Sequence, residues 1–198
     1  DPIGLTNDTT PTITGITSAI PSSTVTFTVT DSEGNTQTLT AIVQDDGTFS
    51  ADVPNALADG DFTVDATVLE PTGNTADGST TGQIDATAPT ITINAPGSDN
   101  DTTPTLTGTT DATQGSTVTL TITDSAGNTQ TVTAIVQADG TYSADVPAEL
   151  AEGEFTINAS VTDEAGNTDT DTGTLVIDTT APTVAINDLT TNDTTPEL

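Results

Sequence analysis

The feature that most constrains the fold is a long internal repeat. The segment DSEGNTQTLTAIVQDDGTFSADVP, which begins at Asp31, returns as DSAGNTQTVTAIVQADGTYSADVP from Asp124, a shift of 93 residues. The string DATAP at Asp85 returns as DTTAP at Asp178, with the same shift of 93. A period of this length exceeds that of a solenoid unit and is typical of a small domain.

The repeat divides the chain into two domains and the beginning of a third. We expect a first domain at 1–85, a second at 86–178, and the start of another repeat at 179–198. In this frame the first copy lacks the segment that opens the second copy. The sequence therefore predicts that the leading strand of the first domain is missing, unless the true boundary lies elsewhere.

Within one repeat, apolar residues alternate with threonine in short segments that are separated by turn sequences. In the second copy these segments centre on Ile91 and Ile93, Leu106, Val118 to Ile122, Val132 to Gln137, Tyr142 to Val146, Phe155 to Val161, and Leu175 to Ile177. Pro147 opens PAELAEG, which predicts one short helical turn with Leu150 pointing inward. Seven short strands in one period indicate an all-β chain of tandem immunoglobulin-like β-sandwiches joined end to end, with an OB-like barrel as the alternative.

The composition excludes several classes of function. The chain has 30 Asp and Glu residues and no Lys, Arg or His, which gives a net charge of −30. A surface of this kind has no cation to bind nucleic acid or an anionic membrane. Without His, Cys or Lys it has no Ser-His triad, thiol nucleophile, Schiff base or usual zinc site. Carboxylate chemistry remains, either as a glycosidase-like acid pair or as a site for a hard cation.

Tracing seven antiparallel strands places acidic loops at the two ends of each sandwich. Candidate metal ligands at the entry end of the second domain are Asp111, Asp139, Asp163 and Glu164, and those at its exit end are Asp101, Asp124 and Asp178. At the junction between the domains, Asp8, Asp31 and Asp85 would face the entry-end group. Two carboxylates about 4 Å apart repel by roughly 4 kcal/mol at an effective dielectric near 20. Ca²⁺ takes about 6–8 oxygen ligands, so the sequence predicts calcium as the cofactor.

Some of these acids also have an interpretation without a metal. The segments DSEGN and DSAGN are good hairpin turns in which Asp31 and Asp124 would cap the turn and glycine would take a positive φ. The NDTTP strings, which contain Asp8 and Asp101, fit a turn before a strand as well as a ligand role. Asp85 and Asp178 lie in linkers that end in proline, where we expect metal ligation.

Several segments together resemble a known family. The 93-residue period, DTTAPT at the junction, TDEAGNT before the last strand and DGTYSADVPAELAEGEFTI resemble the Ig-like tandem extender repeats of giant RTX-type adhesins of biofilm-forming and ice-binding bacteria. The resemblance implies a secreted cell-surface protein of many similar domains, in which Ca²⁺ at the linkers stiffens a monomeric rod and neighbouring repeats are the partners. The chain departs from this pattern where Glu70 and Pro71 replace Asp163 and Glu164, and it lacks the GGxGxD nonapeptide.

Three functions are open on these grounds. The first is a non-catalytic spacer that projects a distal adhesive domain in cell adhesion or biofilm formation. The second is a binding module for carbohydrate or ice, suggested by rows such as Thr117, Thr119 and Thr121. The third is a carboxylate enzyme, which is disfavoured because aromatic residues are only 3% of the chain and no cleft-lining set accompanies the acids.

Overall fold

The computed structural model describes residues 3–186, and the regular secondary structure in that range consists of β-strands alone. The first half of the chain contains β1 (Leu5–Thr6), β2 (Thr12–Ile16), β3 (Thr24–Thr30), β4 (Thr36–Ile42), β5 (Thr48–Asp52), β6 (Gly60–Leu69) and β7 (Thr75–Ile84). The second half contains β8 (Ile91–Asn94), β9 (Gly97–Asp99), β10 (Thr105–Thr110), β11 (Thr117–Asp124), β12 (Thr129–Ile135), β13 (Thr141–Asp145), β14 (Gly153–Thr162) and β15 (Thr168–Ile177).

Each half of the chain forms two sheets. The first half has a five-stranded sheet in the order β1-β7-β6-β3-β4 and a two-stranded sheet of β2 and β5. The second half has a five-stranded sheet in the order β12-β11-β14-β15-β9 and a three-stranded sheet in the order β13-β10-β8. The prediction of an all-β chain is therefore confirmed. Residues 3–186 contain no helix long and apolar enough to cross a membrane.

The alternation of threonine with apolar residues accounts for the two cores. Along β11, Val118, Leu120 and Ile122 are buried while the threonines between them are only partly covered. Residues such as Leu106 and Tyr142, from the smaller sheet, belong to the same buried cluster. A separate cluster fills the first half. Because the side-chain period of a strand is two, each sheet turns one apolar face inward and one threonine-rich face to solvent.

The leading segment of the second half is divided between the two sheets. Strand β8 pairs antiparallel with β10, whereas β9 pairs parallel with β15. Pro96 separates them and cannot donate to a ladder, and Gly97 turns the chain with a φ of 76°. This half therefore has eight strands rather than the predicted seven, and not all of them are antiparallel.

The first half has no counterpart of β8 among residues 3–186. Its small sheet contains only β2 and β5, and β1 takes the place that β9 has in the second half, parallel to β7. The division of the chain at residues 85 and 178, and the absence of a leading strand from the first copy, stay predictions.

The prediction of a helical turn in PAELAEG is wrong. Residues from Pro147 to Glu152 form bends without helical hydrogen bonds. The N–H of Leu150 instead donates to the carbonyl of Thr102 at 2.8 Å, so the segment is held by a distant loop rather than by its own preceding turn. Leu150 is buried, as the sequence predicted.

Candidate functional site

The acidic loops predicted for the entry end of the second domain do share one end of the sandwich. The β14–β15 turn, which begins at Asp163, follows the terminal pair Thr162 and Thr168. The N–H of Thr110 donates to the carbonyl of Gly140 at 2.9 Å, which places the Asp139 loop beside β10. Asp111 follows β10 directly, and its Oδ1 accepts a hydrogen bond of 2.7 Å from the N–H of Thr90 in the incoming chain.

The linker after the first domain is hydrogen-bonded to both domains. On the first-domain side, the N–H of Asp85 donates to the carbonyl of Thr6 at 3.0 Å. On the second-domain side, the Nδ2 group of Asn167 donates to the carbonyl of Asp85 at 2.7 Å. The predicted junction residue Asp85 is therefore the point at which the two domains contact each other through a main-chain atom.

Asp59 also holds this linker, and the sequence analysis missed it. Its Oδ1 accepts a hydrogen bond of 2.9 Å from the N–H of Ala86, and its Oδ2 accepts one of 2.6 Å from the hydroxyl of Thr87. These bonds hold the pKa of the Asp59 carboxyl below its ordinary value, chiefly through the Thr87 hydroxyl. The carboxylate thus ties the loop before β6 to the two residues that follow Asp85.

The same arrangement recurs one repeat later. Glu152 occupies the position 93 residues after Asp59, and its Oε1 accepts hydrogen bonds from the Thr179 N–H at 3.1 Å and hydroxyl at 2.6 Å. The Thr180 hydroxyl donates to the same oxygen at 2.8 Å. The N–H of Asp178 donates to the carbonyl of Asp99 at 3.0 Å, as that of Asp85 does to Thr6. A shared acidic position in both copies, just before β6 and β14, was the sequence signal for this contact.

The turn aspartates direct their oxygens toward their own turns. Asp124 accepts hydrogen bonds from Asn128 through its Nδ2 group and its N–H, both at 2.8 Å. Asp31 accepts the corresponding bonds from Asn35 at 3.0 and 2.8 Å. The asparagine side chain is the main cause that lowers the pKa of each carboxyl. At Asp163, burial works to raise the pKa, but bonds from Asn167 outweigh it and the net shift is downward.

The remaining predicted ligands cap turns or face solvent. The Oδ1 atoms of Asp8, Asp101 and Asp139 each accept bonds from the N–H and hydroxyl of the threonine two residues later, at Thr10, Thr103 and Thr141. Asp85 and Asp178 each accept an N–H from the residue two positions on, at 3.2 and 3.0 Å. The Glu164 side chain is exposed.

The first domain has Glu70 in place of Asp163, and the turn is nevertheless preserved. Glu70, which stands where the second domain has Asp163, accepts hydrogen bonds of 3.0 Å from the Asn74 amide and from the Thr72 hydroxyl. Its pKa is lowered, first by Asn74 and then by Thr72. It also accepts the N–H of Ile20 at 3.3 Å. The longer side chain therefore does the capping that aspartate does in the second copy.

The donor chemistry at these ends suits a hard cation, although the carboxylates are not gathered into a ready-made group. Every acidic and amide side chain at the junction offers oxygen, and the sequence contains no cysteine or histidine to attract a softer metal. Between residues 3 and 186, however, no three carboxylates lie close enough together to form a metal site on their own. An ion here would need main-chain carbonyls and water to complete its shell, as Ca²⁺ commonly does.

The turn carboxylates predict a pH dependence that a single substitution isolates. Because the folded-state pKa of Asp124 is lowered, its contribution to stability is present above its ordinary pKa and is lost as the pH falls through the lowered value. We expect Asp124→Asn to lower the thermal midpoint of the second domain at pH 6. The difference from the unsubstituted chain should shrink as the pH falls below the ordinary aspartate pKa and through the lowered pKa of Asp124.

The control for this measurement is Glu154→Gln, at an exposed carboxyl on β14. It removes the same charge without removing a turn bond, so its thermal midpoint should follow the unsubstituted chain at both pH values. If Asp124→Asn lowered the thermal midpoint by the same amount at every pH, the charge of the Asp124 carboxylate would have no special role in the turn.

Two tandem Ig-like sandwiches define a class of modular β-sandwich proteins, and the comparisons place the chain within a family. The bacterial Ig-like domain family matches residues 4–86 and 89–179. The chain belongs to this family.

Solved structures of adhesin segments are also similar to the chain. The crystal structure of a tetra-tandem repeat in the extending region of a large adhesion protein shares 38% identity over 87% of this chain, with a TM-score of 0.46. A Ca²⁺-stabilised adhesin with which an Antarctic bacterium binds ice shares 29% identity over 86%, with a TM-score of 0.47. A 1.5-MDa bacterial ice-binding adhesin shares 25% identity over 85%, with a TM-score of 0.43.

The chain spans 46%, 44% and 58% of these three structures, respectively, which is less than two thirds of each. No curated protein sequence matches the chain significantly.

Proposed function

We propose that this chain is a non-catalytic extender segment of a large, secreted bacterial adhesin at the cell surface. It acts as a spacer that carries a distal adhesive domain away from the cell in adhesion and biofilm formation. Its partners are the neighbouring repeats of its own chain, and it works as a monomeric rod. The observation that carries the proposal is the repeated fastening of the linker, by Asp59 after the first domain and by Glu152 after the second.

A spacer needs every joint to be alike, whereas a ligand site needs to occur only once. Both linkers leave their domain through a main-chain bond to the parallel strand segment, at Thr6 and at Asp99. Both are then held by a carboxylate of the same domain, which directly precedes its long hairpin, β6–β7 or β14–β15. Joints built in the same way would give each repeat a similar orientation relative to the next, which is the property a rod requires.

Calcium is the proposed rigidifying ion at each joint. At the first junction the proposed ligands come from Asp8, Asp31 and Asp85 of one domain and from Asp111, Asp139, Asp163 and Glu164 of the other. Because no three of these carboxylates lie close together among residues 3–186, an ion would bind only some of them and complete its shell with main-chain carbonyls and water. After the second domain the proposed ligands are Asp101, Asp124 and Asp178. A divalent cation would also offset carboxylate repulsion that no lysine or arginine relieves, since the net charge is −30. Extracellular sites of this type bind Ca²⁺ at roughly 10⁻⁴ to 10⁻³ M.

Spin-label distances across the joint test this proposal. The chain has no cysteine, so Thr38→Cys and Thr131→Cys place one label at the same exposed position of each domain. We expect a narrow distance distribution in millimolar Ca²⁺ and a broad one in chelator. Asp59→Asn should broaden the distribution in Ca²⁺, because it weakens the hold on Ala86 and Thr87.

Asp61→Asn is the matched control, since this nearby exposed carboxylate removes the same charge two residues away. It should leave the width of the distribution unchanged. Equal widths with and without Ca²⁺ would remove calcium from the proposal, and an unchanged width in Asp59→Asn would remove the carboxylate tether.

A further inference from the structure

The opening segment of the second domain lies parallel to its last strand in one continuous register. Strand β9 pairs directly with β15, and Gly97 lies opposite Leu175, 78 residues later. Two residues earlier in the chain, Ala95 lies against Gly173 at the same offset, because a Cβ on Gly173 would come within 2.6 Å of the Ala95 Cβ. The contact between the first and last segments therefore continues beyond the end of the direct ladder.

Along β8 the same register is carried by carboxylates. Among the described strands, β8 pairs only with β10, in the smaller sheet. Its N–H groups on the other edge bind side chains of β15: Ile91 donates to Oδ2 of Asp169 at 3.2 Å, and Ile93 donates to Oδ2 of Asp171 at 2.8 Å, each across 78 residues. Oδ1 of Asp171 accepts the N–H of Thr172 at 2.8 Å, which fixes the side chain in place. Two aspartates thus stand where a parallel ladder would have main-chain carbonyls.

This arrangement determines how the second domain meets tension along the chain. The linker from the first domain enters directly before Ile91, and the chain leaves the last strand directly after Ile177. Because the two segments are parallel, pulling on the two ends of the domain drives them past each other along their length. All the hydrogen bonds between them then resist together, whereas bonds at the end of an antiparallel hairpin would open one at a time.

We propose that Asp169 and Asp171 extend the β9–β15 ladder into a clamp that keeps the second domain folded when the chain is under tension. The clamp needs no metal, since each carboxylate binds a main-chain N–H directly. The first repeat has Ala76 and Gly78 at the equivalent positions and lacks both carboxylates. The use of the clamp to a spacer rests on the proposed function, whereas the clamp itself is a property of this domain.

Single-molecule force spectroscopy of the 198-residue chain, held by tags at its two ends, tests the clamp. We expect two unfolding events. Asp169→Ala and Asp171→Ala should each shorten the lifetime of one event at constant force about tenfold, because each removes a hydrogen bond to a charged group and leaves an N–H unpaired. The other event should not change, and it serves as the reference within the same molecule. Glu154→Ala, at an exposed carboxylate on β14, should leave both lifetimes unchanged.

Two further comparisons separate the clamp from calcium and from general stability. The tenfold ratio should be the same in millimolar Ca²⁺ and in chelator, so a failure of the calcium joint would leave it untouched, and a ratio seen only in Ca²⁺ would overturn the proposal. Val118→Ala removes buried side-chain volume on β11, which pairs with neither β8 nor β9. At an equal loss of stability in urea, the aspartate variants should shorten the lifetime under force more than Val118→Ala does. Equal lifetimes at equal stability would overturn the clamp.

The contact of Gly173 with Ala95 tests the register without removing a carboxylate. Gly173→Ala makes the two Cβ atoms overlap, so it should shorten the lifetime as Asp171→Ala does, and adding Ala95→Gly should restore most of it. Amide hydrogen exchange should show the N–H of Ile93 losing protection in both single variants and regaining it in the double variant. A Gly173→Ala variant that unfolds as slowly as the unsubstituted chain, or no recovery on adding Ala95→Gly, would show that the segments do not bear load in this register.

Discussion

Replacing Leu120 with alanine is expected to lower the stability of the second domain by about 3 kcal/mol and to leave the first domain unaffected. Leu120 is fully buried at the centre of the second core, and removing a buried leucine side chain costs about 2–5 kcal/mol in transfer and cavity terms. The first domain has its own buried cluster, which does not include this residue. The loss should therefore remain within one repeat.

Differential scanning calorimetry measures this separation directly. A loss of about 3 kcal/mol shifts the midpoint of a domain of this size by roughly 12–24 °C, so the second-domain transition should move clear of the first. Thr121→Ala, at the next position on the solvent-facing side of β11, should cost less than about 1 kcal/mol. If Leu120→Ala lowered the midpoint temperatures of both transitions equally, the two repeats would unfold as one unit. The view that they are independent, equivalent domains would then be wrong.

Gly108→Ala is expected to destabilise the second domain by about 3 kcal/mol, the upper end of the usual cost of overpacking, because no space is left for the added methyl group. A Cβ at this position would overlap the carbonyl oxygen of Thr92 and the hydroxyl of Tyr142. The carbonyl is part of the β8 main chain and cannot rotate away. The substitution should therefore displace β8 as well as the tyrosine ring, whose buried hydroxyl has its pKa raised to about 12 by burial and, secondarily, by Asp171.

Tyrosine fluorescence in urea provides the readout for Gly108→Ala, because Tyr142 is the single tyrosine and the chain has no tryptophan. The equivalent substitution Gly15→Ala overlaps only the ring of Phe49, a half-buried side chain that can rotate, so we expect a smaller cost in the first domain. Gly78→Ala meets no neighbouring atom and should be close to neutral. Equal costs for Gly108→Ala and Gly15→Ala would mean that strand β8 does not create the crowding.

The strands could be predicted from the sequence because their pattern of residues is local and periodic. Along β11 and β14 the alternation of threonine with Val, Leu and Ile specifies which face is buried, and the 93-residue repeat marks the equivalent strands in both copies. Local patterns failed at Pro147–Glu152, where proline suggested a helix start but a hydrogen bond from the distant Thr102 carbonyl determines the conformation. They also failed at Pro96, after which the polar residues Gly97–Asp99 leave the smaller sheet and pair with β15 in the larger one.

The contacts that hold the linker needed the fold as well as the repeat. Asp59 bonds to Ala86 and Thr87 across 27 and 28 residues, and the acidic position shared by both copies marks Asp59 without showing which groups it binds. The caps that Asp169 and Asp171 place on β8 span 78 residues. Charge alone could not separate these acids from the solvated ones, because 30 carboxylates are spread along the whole chain. The sequence predicted the loops that share an end of the sandwich, and the pairing register was needed to show which carboxylate binds which backbone group.

Small-angle X-ray scattering of the chain in millimolar CaCl₂, in chelator at matched ionic strength and in MgCl₂ tests the central claim most directly, that calcium at the joint makes these repeats a rigid spacer. We expect calcium alone to give an extended particle of about 70–80 Å, the length of two sandwiches with strands of about ten residues. Chelator should give a broad distribution of bent forms. Superimposable profiles in all three solutions would contradict the claim, because the geometry of the joint would then not depend on calcium.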